Sequence, residues 1–221
     1  MSFFSQDFLE FFKELAANNN KDWFGANRKR YEKNIKDTFK TFVEKVINDL
    51  KKIEPEMAVE AKDVIFRINR DIRFSKDKSP YKLHASAHVS KFGKKVTSVG
   101  GIYFEFGPEK MAIASGIYEA EKETIADIRN HIANNMERFS KLIAEKNFIQ
   151  TFGEIKGEKA KRLDKELQSA ADLQPLIYNK QWYYWVEFKP ETILQKDLVD
   201  ILLHHYKTAK ALNDFFAEAL A

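Results

Sequence analysis

Apolar positions in the first twenty residues recur at helical spacing: Phe8, Leu9, Phe11, Phe12, Leu15 and Ala16. Ser5 is placed to cap that helix, and "NNN" at 18–20 to end it. A second stripe runs through Trp23, Tyr31, Ile35, Phe39, Phe42, Val46, Leu50 and Ile53. It predicts a long helix from about Asp22 to Ile53, with Arg28, Lys29, Lys33, Lys36 and Lys40 on a solvated face. After Pro55 the period drops to two. Val64, Phe66 and Ile68 alternate with Ile65, Arg67 and Asn69, and "LHASAHV" alternates in the same way. "IYFEF" at 102–106 and "MAIASGIY" at 111–118 continue the strands, with turn signals at "KFGKK" (91–95) and "GPEK" (107–110). Connections this short leave no room for crossover helices, so the strands are expected to form an antiparallel meander.

Helical spacing returns with Ile125, Ile128 and Ile132, stops at "NN" (134–135), and resumes with Phe139, Leu142 and Ile143. "QWYYWVEF" at 181–188 predicts a late strand closed by Pro190, and Leu198, Ile201, Leu202, Phe215 and Phe216 mark a final helix. Helices, then strands, then helices predict an α+β fold, an antiparallel β-meander packed against N-terminal and C-terminal helices. No stretch rich in Gly, Pro or Ser divides the chain, so residues 1–221 are expected to form a single domain.

Composition adds exclusions. Nineteen Phe supply ample core, which argues against disorder. The absence of Cys excludes disulfides, thiolate metal sites and thiol nucleophiles. The N-terminus lacks a basic start and a small-residue cleavage site, and no apolar run approaches a membrane span. A cytoplasmic protein without a membrane partner is therefore expected. No phosphate loop of the G-x-x-x-x-G-K-[ST] type, no dinucleotide fingerprint and no H-E-x-x-H occurs. Neither a cofactor nor a metal is expected.

Charge changes the picture most. The chain carries only +4 overall, yet Ala61–Lys95 holds ten Lys or Arg against three Asp, a local +7. The densest part is "FRINRDIRFSKDKSPYK", Phe66 to Lys82, placed between two predicted strands. Arg67, Arg70 and Arg73 recur at intervals of three. A guanidinium fork pairs two parallel N–H groups with carboxylate or phosphate oxygens, so this spacing suits an oxyanion. Lys78 and Lys82 add point charges, and Ser75, Ser79 and Tyr81 add hydroxyl donors. Asp71, Asp77 and His84 are the nearby groups able to act as a general base. The competing reading is an ion-pair network in which the Asp residues only pin the loop.

Other signals are weaker. Ser75 to Lys78 matches S-x-x-K, but the helix start and second motif of that chemistry are missing. His84 and His88 lie roughly 13 Å apart along a strand, too wide for one metal. His204 and His205 point to different sides of a helix. Gly116, in "ASGIY", marks a strand bend or a place where backbone approaches a ligand. The aromatics of "QWYYWVEF" suit base stacking or a buried strand.

"FLEFFKELAANNNKDWFGANRKRYE" together with "FRINRDIRFSKDKSPYK" resembles a conserved bacterial and fungal family, domain of unknown function 2461. "SGIY" and "IADIRNHI" fall where that family has a Gly-rich turn and an Arg-bearing helix. The likeness loosens after about residue 150, where "KRLDKELQSAADLQPLIYN" replaces a Pro- and Gly-containing segment. The resemblance transfers no catalytic role. It implies hallmark positions at Trp23, Asn27 and Tyr31, and along Arg67, Arg70, Asp71, Arg73, Phe74, Ser75 and Asp77 to Lys82. On that basis the Trp23–Asn27–Tyr31 face is expected to support the basic loop, with Asn27 bonding its backbone and Arg129 approaching from a later helix. Three functions fit: binding or turnover of a phosphate-containing or other anionic small molecule, association with nucleic acid, and a structural clasp.

Overall fold

The computed structural model of the chain describes residues 2–91 and 100–220. The expected turn at "KFGKK" lies outside the described residues apart from Lys91. Four strands, β1 (Ala85–Val89), β2 (Ile102–Phe106), β3 (Met111–Ile117) and β4 (Trp182–Phe188), form one antiparallel sheet in the order β1-β2-β3-β4. The fold is α+β. β2 and β3 follow in a short-turn meander, and β4 returns after a helical insertion. Among the described residues no helix is long and apolar enough to cross a membrane.

The chain divides into two compact units. The first contains residues 1–94, 103–113 and 187–203. Its helices α1 (Gln6–Ala17) and α4 (Thr38–Leu50) bury the predicted stripes, because residues three and four apart share a face. Phe4, Phe39 and Phe42 meet the β2 rings Phe104 and Phe106 at separations of 5.4 to 5.9 Å, tilted or edge-on. That geometry favours the ring quadrupoles.

Two expectations here are corrected. The helix expected from Asp22 to Ile53 is broken: α2 (Lys21–Ala26) ends at Asn27, which leaves helical geometry (φ −99°, ψ 9°). The Asn27 amide donates to the Trp23 carbonyl (3.0 Å), competing with the backbone ladder. The chain then runs through α3 (Arg28–Arg30), a π-helical stretch (Tyr31–Asp37) and α4. Secondly, Val64 does not begin a strand; it ends a short helix, α5 (Ala61–Val64). The Asp63 carboxylate accepts the Glu60 backbone N–H (3.1 Å), and this capping turn takes the residues before Ile65. Beyond it the chain forms no ladder among the described residues and pairs through the isolated bridges Ile65 to Ala87 and Asn69 to Tyr81.

The second unit contains residues 95–102, 114–186 and 204–221. Helices α6 (Lys122–Asn134), α7 (Met136–Ile143), α8 (Lys146–Phe152) and α9 (Lys165–Leu173) lie between β3 and β4 in sequence. Ile128, Ile132, Phe139, Phe148 and Phe152 pack with Trp182 and Tyr184 of β4 and with Leu212, Phe215 and Phe216 of the last helix, α10 (Leu198–Glu218).

Candidate anion-binding site

The segments flanking the basic loop form an irregular antiparallel pair. Phe66 N–H bonds Ser86 O (3.0 Å), Lys82 N–H bonds Ile68 O (2.8 Å) and Arg70 N–H bonds Pro80 O (2.9 Å). Asn19, in the linker before α2, anchors this pair with both amide atoms. Its Nδ2 donates to Tyr81 O (2.9 Å) and its Oδ1 accepts Tyr81 N–H (3.1 Å). The Tyr81 ring is buried and stacks on Phe24 (4.1 Å, 18°), which in turn meets Tyr31 (5.0 Å). The support under the loop therefore comes from Phe24 in α2 and from Asn19 in the linker before it. Trp23 packs on Phe11 (5.6 Å), and the Asn27 amide is bonded within its own helix.

Beyond this anchor the loop turns its charges on itself. Arg70 pairs with Asp77 and donates to Ser79 O (3.2 Å) and Ser75 Oγ (3.5 Å). Asp77 also accepts the Ser79 hydroxyl (2.7 Å) and backbone N–H (2.9 Å). Arg73 makes a two-pronged bond to Asp71 (3.0 and 2.7 Å), and Lys78 donates to Ile72 O (2.9 Å). The bond from Arg73 holds the Asp71 carboxyl down at about 2. The bonds from Ser79, and then from Arg70, hold Asp77 well below its ordinary value. Carboxylates so stabilised as anions are poor proton acceptors near neutrality.

Arg67 behaves differently. It makes no hydrogen bond or ion pair among the described residues, and it lines a cleft of about 450 Å³. That volume falls in the range of small-molecule pockets. One wall is the π-helical stretch with its flanking turns, contributing Arg28, Lys36 and Lys40; the other is 62–69, contributing Lys62 and Arg67. Tyr31, Ile35, Phe39 and Phe66 give it an apolar floor. Five cationic side chains thus face one carboxylate, Glu32. Arg28 is bonded to Glu32 (3.2 Å), Lys62 pairs with Glu60 (2.7 Å) and Lys40 approaches Glu44 (3.6 Å). Lys36, like Arg67, has no carboxylate partner among the described residues. Arg28, Lys36 and Lys40 were assigned to a solvated face by helical spacing. The residues opposite them, which turn that face into a wall, are distant in sequence.

His84 lines the same cleft. Its Nε2 lies 3.7 Å from Glu105, which also accepts the Tyr103 hydroxyl (2.8 Å). Burial lowers the imidazole pKa, opposed by Glu105 and aided by Lys82 and Lys110. Lys82 sits over the Phe66 ring (5.0 Å), and burial, then the charge of Arg67, lowers its pKa. The sign for stability follows. The folded state binds the His84 proton less readily than the unfolded chain, so His84 contributes stability above the ordinary imidazole range of about 6.5. That contribution is lost as pH falls through the lowered folded value. Urea unfolding of wild type and His84→Gln across this range should show the steeper acid decline in wild type. Parallel curves would remove His84 as the cause.

The remaining candidates lie in the second unit. Arg129 donates to Asn179 O (3.0 and 3.2 Å) and Tyr178 O (3.3 Å), with burial lowering its pKa. Gly116 has φ +89° and faces the Trp182 carbonyl of the neighbouring strand. Among the described residues no group of three or more His, Asp or Glu is arranged to hold a metal ion.

Together these features define an α+β protein whose first unit holds a cation-rimmed, apolar-floored cleft beside a self-paired basic loop. A family model described as a conserved hypothetical protein, DUF2461, matches residues 7–215, and the chain belongs to this family. No curated protein and no solved structure matches the chain.

Proposed function

We propose that this protein binds a phosphate-containing or similarly anionic small molecule in the cleft between the π-helical stretch and residues 62–69. The observation that carries the reading is Arg67, an unpaired guanidinium facing Lys36 and Lys40 across an apolar floor. An anion there would gain charge-assisted hydrogen bonds without breaking an existing ion pair. The floor suits an apolar portion of the same ligand. Arg70, Arg73, Ser75, Lys78 and Ser79 act from behind, by holding the loop in shape. Tyr81 fixes its base, and Lys82 adds positive charge near Arg67. If the ligand is transformed, His84 is the cleft residue suited to move a proton; Asp71 and Asp77 are committed to their ion pairs.

Thermal shift with phosphate, sulfate, nucleotides and sugar phosphates tests this reading. A ligand that binds only the folded state raises the melting temperature with concentration. Arg67→Ala should weaken binding of an active ligand about 10- to 100-fold, the loss of one or two charge-assisted bonds. Lys36→Ala should weaken it less, and Arg73→Ala should leave it nearly unchanged. Equal protection of wild type and Arg67→Ala would sink the proposal.

A further inference from the structure

Phe74 stands apart from the aromatic core. It sits at the tip of the basic loop and is 96% exposed, whereas the other large hydrophobics of that unit are largely packed. The Arg73 guanidinium carbon lies 5.9 Å from its ring centroid, and Arg73 itself remains 76% exposed. Lys76 and Lys78 follow within four residues, both exposed. Residues 70–78 carry four cations against two carboxylates, a net +2. The loop that carries the ring is closed on both sides of it by the Arg70–Asp77–Ser79 and Arg73–Asp71 bonds. A pre-shaped loop loses little conformational entropy when it binds.

We propose that this loop tip is a contact for single-stranded nucleic acid, with Phe74 stacking on a base and Lys76 meeting a flanking phosphate, while Arg73 and Lys78 keep their bonds to Asp71 and Ile72 O and add positive charge beside the strand. A lone ring bordered by cations matches a strand in which ring faces alternate with phosphates. It fits a bilayer poorly, since one side chain offers little apolar area and Asp71 and Asp77 border it. The tip is distinct from the cleft, and the inference does not rest on Arg67.

The test is fluorescence anisotropy with a labelled 12-nucleotide oligothymidylate at low salt, beside the same oligonucleotide built from abasic sites. Phe74→Ala should weaken binding of the oligothymidylate about 5- to 150-fold, the loss of one stacked base. It should not change binding of the abasic strand, and Phe74→Trp should restore the wild-type affinity. Lys76→Gln should reduce the slope of log K against log salt by about 0.7. The exposed ring makes these variants safe for folding, which a thermal melt checks. Equal affinity of wild type and Phe74→Ala overturns the proposal, as does absence of binding by wild type at low salt. Phe74-dependent sedimentation with phosphatidylserine vesicles, without oligonucleotide binding, overturns it in favour of a lipid surface. Arg67→Ala separates the two sites: it should remove small-anion protection while the difference between wild type and Phe74→Ala backgrounds persists.

Discussion

Gly116→Ala is expected to cost more than about 4 kcal/mol, most of the stability of a domain at the low end of the usual range of about 5–15 kcal/mol. Gly116 has φ +89°, where an L side chain is strained before any neighbour is considered. A Cβ added there would lie 2.2 Å from the Trp182 carbonyl oxygen, 2.9 Å from the Tyr184 ring and 3.0 Å from the Tyr183 Cα. Two of those atoms belong to the backbone of β4, so relief would require parting the β3 and β4 strands. Circular dichroism melts should show a loss of more than ten degrees or no folded baseline. Gly25→Ala is the control: it lies in α2 with nothing within 4 Å of its added Cβ. It should be neutral or stabilise by up to about 1 kcal/mol, since glycine is the poorer helix former. Similar melting of both variants would refute the close approach at Gly116. The same contact answers the functional question that the glycine raised: the backbone approaching it is the protein's own.

The second large effect is expected at Asn213. Three buried polar side chains meet in the second unit. The Tyr184 hydroxyl donates to Asn213 Oδ1 (2.6 Å), and Asn213 Nδ2 donates to Ser115 Oγ (2.9 Å) and Gly101 O (3.3 Å). Ser115 Oγ in turn donates to Gly101 O (2.5 Å). Burial pushes the Tyr184 pKa up, so its hydroxyl stays a donor across the working pH range. Asn213→Leu removes the group that joins the others and leaves Tyr184 only a 3.5 Å contact to Ala209 O. The Tyr184 hydroxyl is then all but stranded, while Ser115 keeps its bond to Gly101 O, so the cost should be about 2–3 kcal/mol. Tyr184→Phe, which leaves Asn213 bonded to Ser115 and Gly101, should cost about 1–2 kcal/mol. Urea titrations of both single variants and the double variant measure the coupling. A cost below 1 kcal/mol for Asn213→Leu would show that the network contributes little.

Elements with strong local periodicity were readable in the chain. α1, β2, β3, β4 and the last helix fall where apolar spacing puts them, because their buried faces repeat at 3.6 or two residues. The failures share a cause as well. Val64 to Ile68 alternates like a strand, yet the Asp63 cap claims its first residue and pairing stops at single bridges. Asn27 interrupts a helix whose apolar stripe continues on both sides. In each case a side chain bonding to nearby backbone outweighed the pattern. The family resemblance was legible in the hallmark residues, and the match over residues 7–215 establishes it.

The basic stretch was legible as charge and not as geometry. Composition could not distinguish Arg67, which faces open space, from Arg70 and Arg73, which face Asp77 and Asp71. The cleft drew Arg28, Lys36 and Lys40 from a helix face that spacing assigns to solvent, because 62–69 lies opposite and is remote in sequence. Asn19, whose two bonds anchor the loop, sits in a run of three Asn that reads only as a helix break.

The wider turn between Tyr31 and Asp37 has a consequence for how this wall can vary. A π-helical turn closes i→i+5 bonds, so it stores one more residue than the α-helix on either side. The angular position of Arg28 and Glu32 relative to Lys40 is therefore set by a residue count. Exchanging one side chain for another leaves that count intact; deleting one residue from a regular α-helix would turn everything upstream by about 100°, but here the wider turn can absorb the loss by returning to α-helical geometry. The helix would become more regular, and Arg28 upstream and Lys40 downstream would keep nearly the same relative faces. The segment can therefore shed one residue where a regular helix of the same length could not.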